Sequence, residues 1–354
     1  MMSSTKPLIT FILCAYRQEQ FIREAVEGAF AQTYSPLEII LSDDCSPDRT
    51  FEIMRELADR YRGPHQVVLN QNASNLGIAK HWNRVAELAH GELVVGAAGD
   101  DVSLPERTTL MVDVWETSNR RATSIHGRWI GIDERGCPTQ LEKTVPWPKV
   151  EANSVAKQAV TPADFIKSRQ PHVQGSCHTI SRRLFTVFGP LPDYVVYEDT
   201  ALAFRSVLIG DICFINRPLV KYRRHGENIF APIRVETITN AEQWRAYHEQ
   251  AARELGRLVR LYDCFRADVQ TLASRKEMSP EQAAELQAEI TRVQRRYQLQ
   301  REMYHRGLKD RLKIAFELCR DGHDIRRVFA RLLPRPVAEL CFLARAQMRR
   351  ENKA

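Results

Sequence analysis

No stretch of the 354-residue chain approaches the roughly 18 consecutive apolar residues that a membrane-spanning helix needs. Neither a basic start nor a small-residue cleavage site accompanies the early apolar run Leu8–Cys14, which reads as a first strand rather than a signal peptide. The eight cysteines (Cys14, Cys45, Cys137, Cys177, Cys213, Cys264, Cys319 and Cys341) form no CxxC pair. That scatter argues against a zinc site and for reduced thiols in a cytoplasmic setting. A basic surplus is missing from most of the chain. Residues 301–354 hold 14 Lys/Arg against 7 Asp/Glu, a balance of +7 that equals the formal charge of the whole chain. A generally basic nucleic-acid surface is therefore excluded, and a basic tail remains. The glycine-rich, lysine-bearing entry loop expected of a nucleotidyltransferase is also absent.

What is present is a regular alternation. Apolar runs at Leu8–Cys14, Leu37–Leu41, Val67–Leu69 and Leu93–Ala97 are separated by helical patterns. One of these carries Phe21, Ala25, Val26, Ala29 and Phe30 on one face, the next Phe51, Met54, Leu57, Ala58 and Tyr61, and the third covers Ile78–Ala89. The βαβαβαβ order implies a mainly parallel sheet with helices on both faces and right-handed crossovers. Further on, the spacing predicts a helix over Pro105–Ser118, a hairpin around Ile125–Cys137, and a proline-rich loop over Val145–Pro162. A helix over Glu198–Ile209 and a strand at Ile212–Ile215 follow. After about Val235 glycine and proline become rare, and two long helices are expected as far as Tyr304. The Ser279-Pro280-Glu281 signal starts the second. A last helix is expected from Pro336, with Val337, Leu340, Cys341, Ala344 and Met348 on one stripe.

Acidic groups punctuate this pattern. Asp43 and Asp44 end the second apolar run, where open α/β sheets bind their ligands. The alternative is a helix start, with Asp48 as cap. Asp100 and Asp101 end the fourth run after a glycine, and paired carboxylates there are hard ligands suited to Mg2+ or Mn2+. The alternative is a turn into the next helix. Glu198 and Asp199 open an amphipathic helix, where a carboxylate serves as a cap or, facing a pocket, as a general base. Arg223, Arg224 and His225 form a cationic loop fit for phosphate or metal.

Six segments in order, PLITFILCAYRQEQFIREAV, QTYSPLEIILSDDCSPDRT, NLGIAKHWN, GELVVGAAGDDVSLPER, YEDTALAFR and YRRH, resemble the family 2 glycosyltransferases over about residues 7–230. The resemblance implies an α/β GT-A, Rossmann-like fold with a mainly parallel central sheet flanked by helices. The catalytic domain would span 1–235, a nucleotide half (1–104) and an acceptor half (105–235), followed by a helical extension over 236–354. It implies that Ala15, Tyr16 and Arg17 line the nucleotide pocket, that Asp43 and Asp44 meet base and ribose, and that Asn75 and Gly77 belong to a closing loop. Asp100 and Asp101, with His225, would hold a divalent metal beside the diphosphate, which Arg223 and Arg224 would also contact. Asp199 resembles the general base of inverting members, with Glu198 its partner. Two positions depart from the family pattern: Ala98 stands where DxD has its first Asp, and Cys14-Ala15-Tyr16-Arg17 replaces the usual Pro-Thr-Tyr-Asn.

The expected donor is a nucleoside-diphosphate sugar and the expected acceptor a saccharide or lipid-linked hydroxyl. His172, Gln174, Ser176 and His178 border the acceptor side, and Trp129 and Trp147 are candidates for stacking on a sugar or for the core. The basic last helix, with Arg345, Arg349 and Arg350, fits a membrane surface or a homo-oligomer contact. A non-catalytic nucleotide-sugar-binding scaffold is the competing class.

Overall fold

A computed structural model describes residues 6–145, 147–226, 228, 241–304, 306 and 308–320. It divides into two compact units, Met1–Asn228 with Cys264–Leu286, and Ile229–Asp263 with Gln287–Ala354. The segment Cys264–Leu286, beyond the divide expected near residue 235, thus groups with the first unit.

The first unit opens with the expected alternation: β1 (Ile9–Ala15), α1 (Ile22–Phe30), β2 (Leu37–Asp43), α2 (Thr50–Arg60), β3 (Gln66–Gln71), α3 (Ile78–Leu88) and β4 (Leu93–Ala98). All four strands are parallel in the order β3-β2-β1-β4. β1, β2 and β4 are apolar almost throughout because helices cover both faces of a parallel sheet. Phe11, Leu13, Ile39, Leu41 and Val95 form the centre of the core with Val26, Met54 and Trp115. The strand order reverses between β1 and β4. Ligands of open α/β sheets bind at the carboxyl ends beside such a reversal.

The rest of this unit is mixed: β5 (Val102–Ser103), α4 (Arg107–Thr117), β6 (Ala122–Ile132), β7 (Val155–Gln158), α5 (Pro162–Ser168), β8 (His178–Ser181), α6 (Arg183–Phe188), α7 (Glu198–Ile209) and β9 (Asp211–Arg223). β8 lies antiparallel between β4 and β6, β6 runs parallel to β9, and β5 and β7 pair antiparallel with β9. Three local expectations change. The hairpin around Ile125–Cys137 is one long strand, β6, whose return beyond the Asp133–Gly136 turn is a single bridge from Ile132 to Pro138. The proline-rich Val145–Pro162 segment contains strand β7. The strand expected at Ile212–Ile215 continues to Arg223. Pro218 is tolerated there because the β6–β9 register shifts between Gly127 and Arg128, the kind of bulge where a missing N–H does no harm.

Three helices follow: α8 (Ala241–Ser274), α9 (Pro280–Glu302) and α10 (Leu308–Arg320). Ser279 and Gln282 form the reciprocal cap expected at the start of α9, each side chain accepting from the other's N–H. In the second unit Gln294 donates to Asp263 (2.6 Å) and to the Val259 carbonyl (2.9 Å). The helix expected from Pro336, with its basic stripe, lies outside the described residues. Among the described residues no helix is long and apolar enough to cross a membrane.

Candidate active site

The first carboxylate pair is saturated with donors. Asp43, fully buried, accepts the Ser46 N–H (2.9 Å) and the Ser46 hydroxyl. Asp44 accepts Asn72 Nδ2 (2.8 Å) and the N–H groups of Leu76 (2.8 Å) and Gly77 (2.9 Å). It therefore ties down the loop that carries exposed Asn75 and starts α3. Gly77 has φ +76°, a conformation that favours glycine. Behind Asp44 the bonds continue inward. Asn70 Nδ2 donates to Asn72 Oδ1 (3.1 Å) and to Ser42 Oγ (2.9 Å), which meets His81 Nε2 at 2.6 Å. Burial holds the His81 imidazole below its ordinary range, against the pull of Asp44 and Asp43. Asp48 accepts the Thr50 N–H at 3.1 Å in the turn before α2, whose N-cap is Arg49 with no side-chain cap bond. Ala15 is buried, whereas Tyr16 and Arg17 are exposed beside this pair, and the Arg17 N–H donates to Ser46 Oγ (2.9 Å).

The second pair lies at the end of β4, after Ala98 and Gly99. Asp101 is buried, and its Oδ1 accepts the Arg223 N–H (2.8 Å) while its Oδ2 has no hydrogen-bond partner. Burial, with Asp100 adjacent, pushes its carboxyl well above the ordinary range. Asp100 Oδ2 receives His225 Nε2 (3.0 Å) and Asn228 Nδ2 (3.3 Å). Arg223 points inward and is wholly buried. Its guanidinium donates to Glu24 Oε2 (3.0 Å), to the Asp100 carbonyl (2.9 Å) and to the carbonyls of Asp133 and Glu134 (3.2 Å each). It clamps the Asp100 turn onto α1 and the turn after β6, leaving half-buried Arg224 as the neighbouring cation. Among the described residues no three His, Cys, Asp or Glu side chains are gathered as a metal cage. The orphaned Asp101 oxygen and the Asp100–His225 contact nonetheless offer the hard-oxygen and imidazole donors that Mg2+ or Mn2+ accepts.

The third pair, half-buried, opens α7 and draws mainly on backbone donors, the Thr200 and Gly175 N–H groups at Asp199 and those of Glu198 and Asp199 at Glu198. Burial, then Asp199, pushes the Glu198 carboxyl up to about 8. Asp199 is also raised by burial, with His172 opposing the shift, and its Oδ1 accepts the Thr200 N–H (2.5 Å). Both carboxyls are thus held above their ordinary range and titrate together. The pair reaches the strand ends: Glu198 and Asp44, after burial, raise the Cys14 thiol on β1. A Cβ at Gly175 would stand 2.9 Å from Glu198 Oε1, so a larger residue there would displace that carboxyl.

From behind, α7 is held by a buried ion pair. Arg205 Nε lies 3.1 Å from both oxygens of Asp268, and its Nη1 donates to the Gly189 carbonyl (2.8 Å). Phe204 stacks on Phe265 at 4.0 Å. Burial lifts the Asp268 carboxyl to about 6 despite Arg205.

Several expected groups belong to the core. Trp129 is buried against Trp147, whose indole N–H donates to the Glu142 carbonyl (3.0 Å). His178 is buried and meets Ser124 Oγ at 2.7 Å. Sequence reasoning passed over Gly175, Glu24, Asp268 and Arg107. The last is fully buried, bonded to Ser103 Oγ (2.9 Å) and the Gly96 carbonyl (2.5 Å), with an unpaired Nε. The only signal for them is position, since a lone Arg or Asp in an amphipathic helix ordinarily reads as a solvated charge.

Comparison with known proteins follows this geometry. A protein of Mycobacterium tuberculosis with no characterised activity is 26% identical over 224 residues, 63% of this chain and 60% of its own length. The chain thus spans about three fifths of the first such relatives. The putative glycosyltransferase EpsE of Bacillus subtilis is 29% identical over 147 residues, 41% of this chain and 52% of that protein. The crystal structure of residues 1–349 of Staphylococcus aureus TarS superposes with a TM-score of 0.50 at 13% identity, covering 82% of this chain and 91% of that one. The fold is the mixed α/β, Rossmann-like GT-A fold with C-terminal helices. Residues 10–185 match the model of glycosyl transferase family 2, and the chain carries a domain of that family.

Proposed function

We propose that the chain is an inverting glycosyltransferase that moves a sugar from a nucleoside-diphosphate sugar, a UDP-sugar first, to an acceptor hydroxyl. The observation that carries this reading is the convergence of three acidic pairs around the β1–β4 strand ends, with burial raising both carboxyls of the α7 pair. Ala15, Tyr16 and Arg17 would frame the nucleotide with Asp43, and Asp44 would fix the Asn75–Gly77 loop over it. Asp199 would take the proton of the acceptor hydroxyl as that oxygen bonds to the anomeric carbon. The bond from that carbon to the diphosphate breaks on the opposite face, and its electron pair leaves with the nucleoside diphosphate. Neutral Glu198 keeps the second negative charge out of the pocket and holds the shared proton away from Asp199.

A divalent ion, Mn2+ or Mg2+, held by Asp100, Asp101 and His225 would supply charge neutralisation at the departing diphosphate. Arg224 supports the same charge from the protein side, while Arg223 acts through the shape of the Asp100 turn. A saccharide or lipid-linked acceptor, in cytoplasmic polysaccharide or glycolipid assembly at the inner membrane face, fits the family analogy. The competing reading, a non-catalytic sugar-nucleotide-binding scaffold, is favoured only by Ala98 at the missing carboxylate position.

Thermal stabilisation by UDP, GDP and dTDP and their sugars, with and without Mn2+, tests the reading on wild type and Asp101→Ala. Metal-dependent stabilisation by one nucleotide, lost in the variant and joined to a glycosylated product, is expected. Stabilisation without product points to the scaffold, and no stabilisation removes both.

A further inference from the structure

Helix α10 has two unlike faces. Ile314, Ala315 and Leu318 are buried with Leu299 and Met303 in a small apolar cluster of the second unit. On the other side Leu312 is 50% exposed and Phe316 75%, the most exposed large apolar side chain among the described residues. Lys309, Leu312, Lys313 and Phe316 follow i, i+3, i+4, i+7 spacing and so share one stripe. All four are exposed. The nearby acids are offset: Asp310 lies 3.9 Å from Lys313, and Glu317 lies 3.5 Å from Arg295 on α9. Residues 301–320 hold six Lys/Arg against three Asp/Glu, a local balance of +3.

We propose that this stripe of α10 docks on an anionic phospholipid surface, with Leu312 and Phe316 entering the headgroup boundary and Lys309 and Lys313 among the phosphates. A helix with apolar side chains bracketed by lysines has the composition of an interfacial helix, and anionic lipid attracts the lysines at short range. A second copy of the chain fits less well. A stable dimer buries on the order of 1,000 Å2 or more, and two apolar side chains flanked by like charges do not supply such a face. A nucleic acid would use the lysines and leave Phe316 in water. This inference is independent of the transferase reading and of the residues beyond Arg320.

The full chain is sedimented with vesicles of phosphatidylcholine alone and of phosphatidylcholine mixed with phosphatidylglycerol, at low and high salt. Wild type is expected to bind only the mixed vesicles and to be released by salt. Leu312→Glu/Phe316→Glu and Lys309→Glu/Lys313→Glu should each weaken that binding by about tenfold or more, with circular dichroism unchanged. A milder pair, Leu312→Ser/Phe316→Ser, covers the case in which the glutamates disturb the helix. Failure of wild type to bind overturns the proposal, as does undiminished binding by all three variants. Light scattering that shows a wild-type dimer lost in Leu312→Glu/Phe316→Glu would overturn it in favour of a second copy. Nucleotide stabilisation is measured in parallel, so failure of the transferase reading is seen separately.

Discussion

Two carboxylate pairs near the same strand ends receive opposite treatment. At the end of β2, Asp43 and Asp44 collect five hydrogen bonds, from the Ser46 backbone and hydroxyl, the Asn72 amide, and the N–H groups of Leu76 and Gly77. At the start of α7, half-buried Glu198 and Asp199 lie side by side and draw mainly on backbone N–H groups, those of Thr200 and Gly175 at Asp199, with the Thr200 hydroxyl, and yet desolvation raises both. A carboxylate surrounded by donors is a fixed structural part, because its charge is already answered. One raised by burial can change its protonation near neutral pH. Two adjacent acids in a sequence therefore say little about chemistry until their surroundings are known.

This contrast can be broken by substitution. The largest effect is expected where a buried acid has a dedicated cation. Asp268→Ala leaves Arg205 charged and buried, and should lower unfolding free energy by about 3–5 kcal/mol, read by urea titration. Asp199→Asn should leave nucleotide stabilisation intact while turnover drops by ~100-fold or more, which is about 2.7 kcal/mol of barrier. Unchanged turnover would remove Asp199 as the base. Asp44→Ala strands the donors of the 72–77 loop and should cost about 2 kcal/mol, with weaker nucleotide binding measured by calorimetry.

The last expected effect has the opposite sign. The folded Glu198 carboxyl is raised to about 8 from an ordinary 4.5. Wild-type stability is then fully present below pH 4.5 and declines as pH rises towards 8, because the unfolded chain releases this proton more readily. Glu198→Gln lacks that decline. Its melting temperature should exceed that of wild type near pH 8, with little difference at pH 4.5. A pH-independent difference would mean that the pair does not share a proton as described.

Much of the first half was legible in the sequence because β1, β2 and β4 are continuous apolar runs with helices between them, and each ends near its acids. The second half was less so. β6 and β9 pair in parallel although about eighty residues separate them, and nothing local in either segment specifies that partner. Asn216-Arg217-Pro218 reads as a strand end, and only a bulge in β9 at these residues lets the strand continue beside β6. Site placement divided in the same way. Asp100, Asp101 and Asp199 were visible from the strand and helix that precede or carry them. The inward turn of Arg223 was not, since its partners come from a remote helix, Glu24 of α1, and a remote turn, Asp133 and Glu134.

The Arg205–Asp268 pair has a consequence for synthesis of the chain. Its partners are 63 positions apart, and the family match ends at residue 185, before either is made. Ribosomes add about 5–20 residues per second, so α7 waits several seconds for the acid that answers its buried cation. During that interval the nascent domain can complete its parallel strands but not seat the helix bearing Asp199. A chain that stops after β9 would carry all three acidic pairs and still be expected to aggregate or be degraded, because folding of this domain is closed by a residue that emerges late.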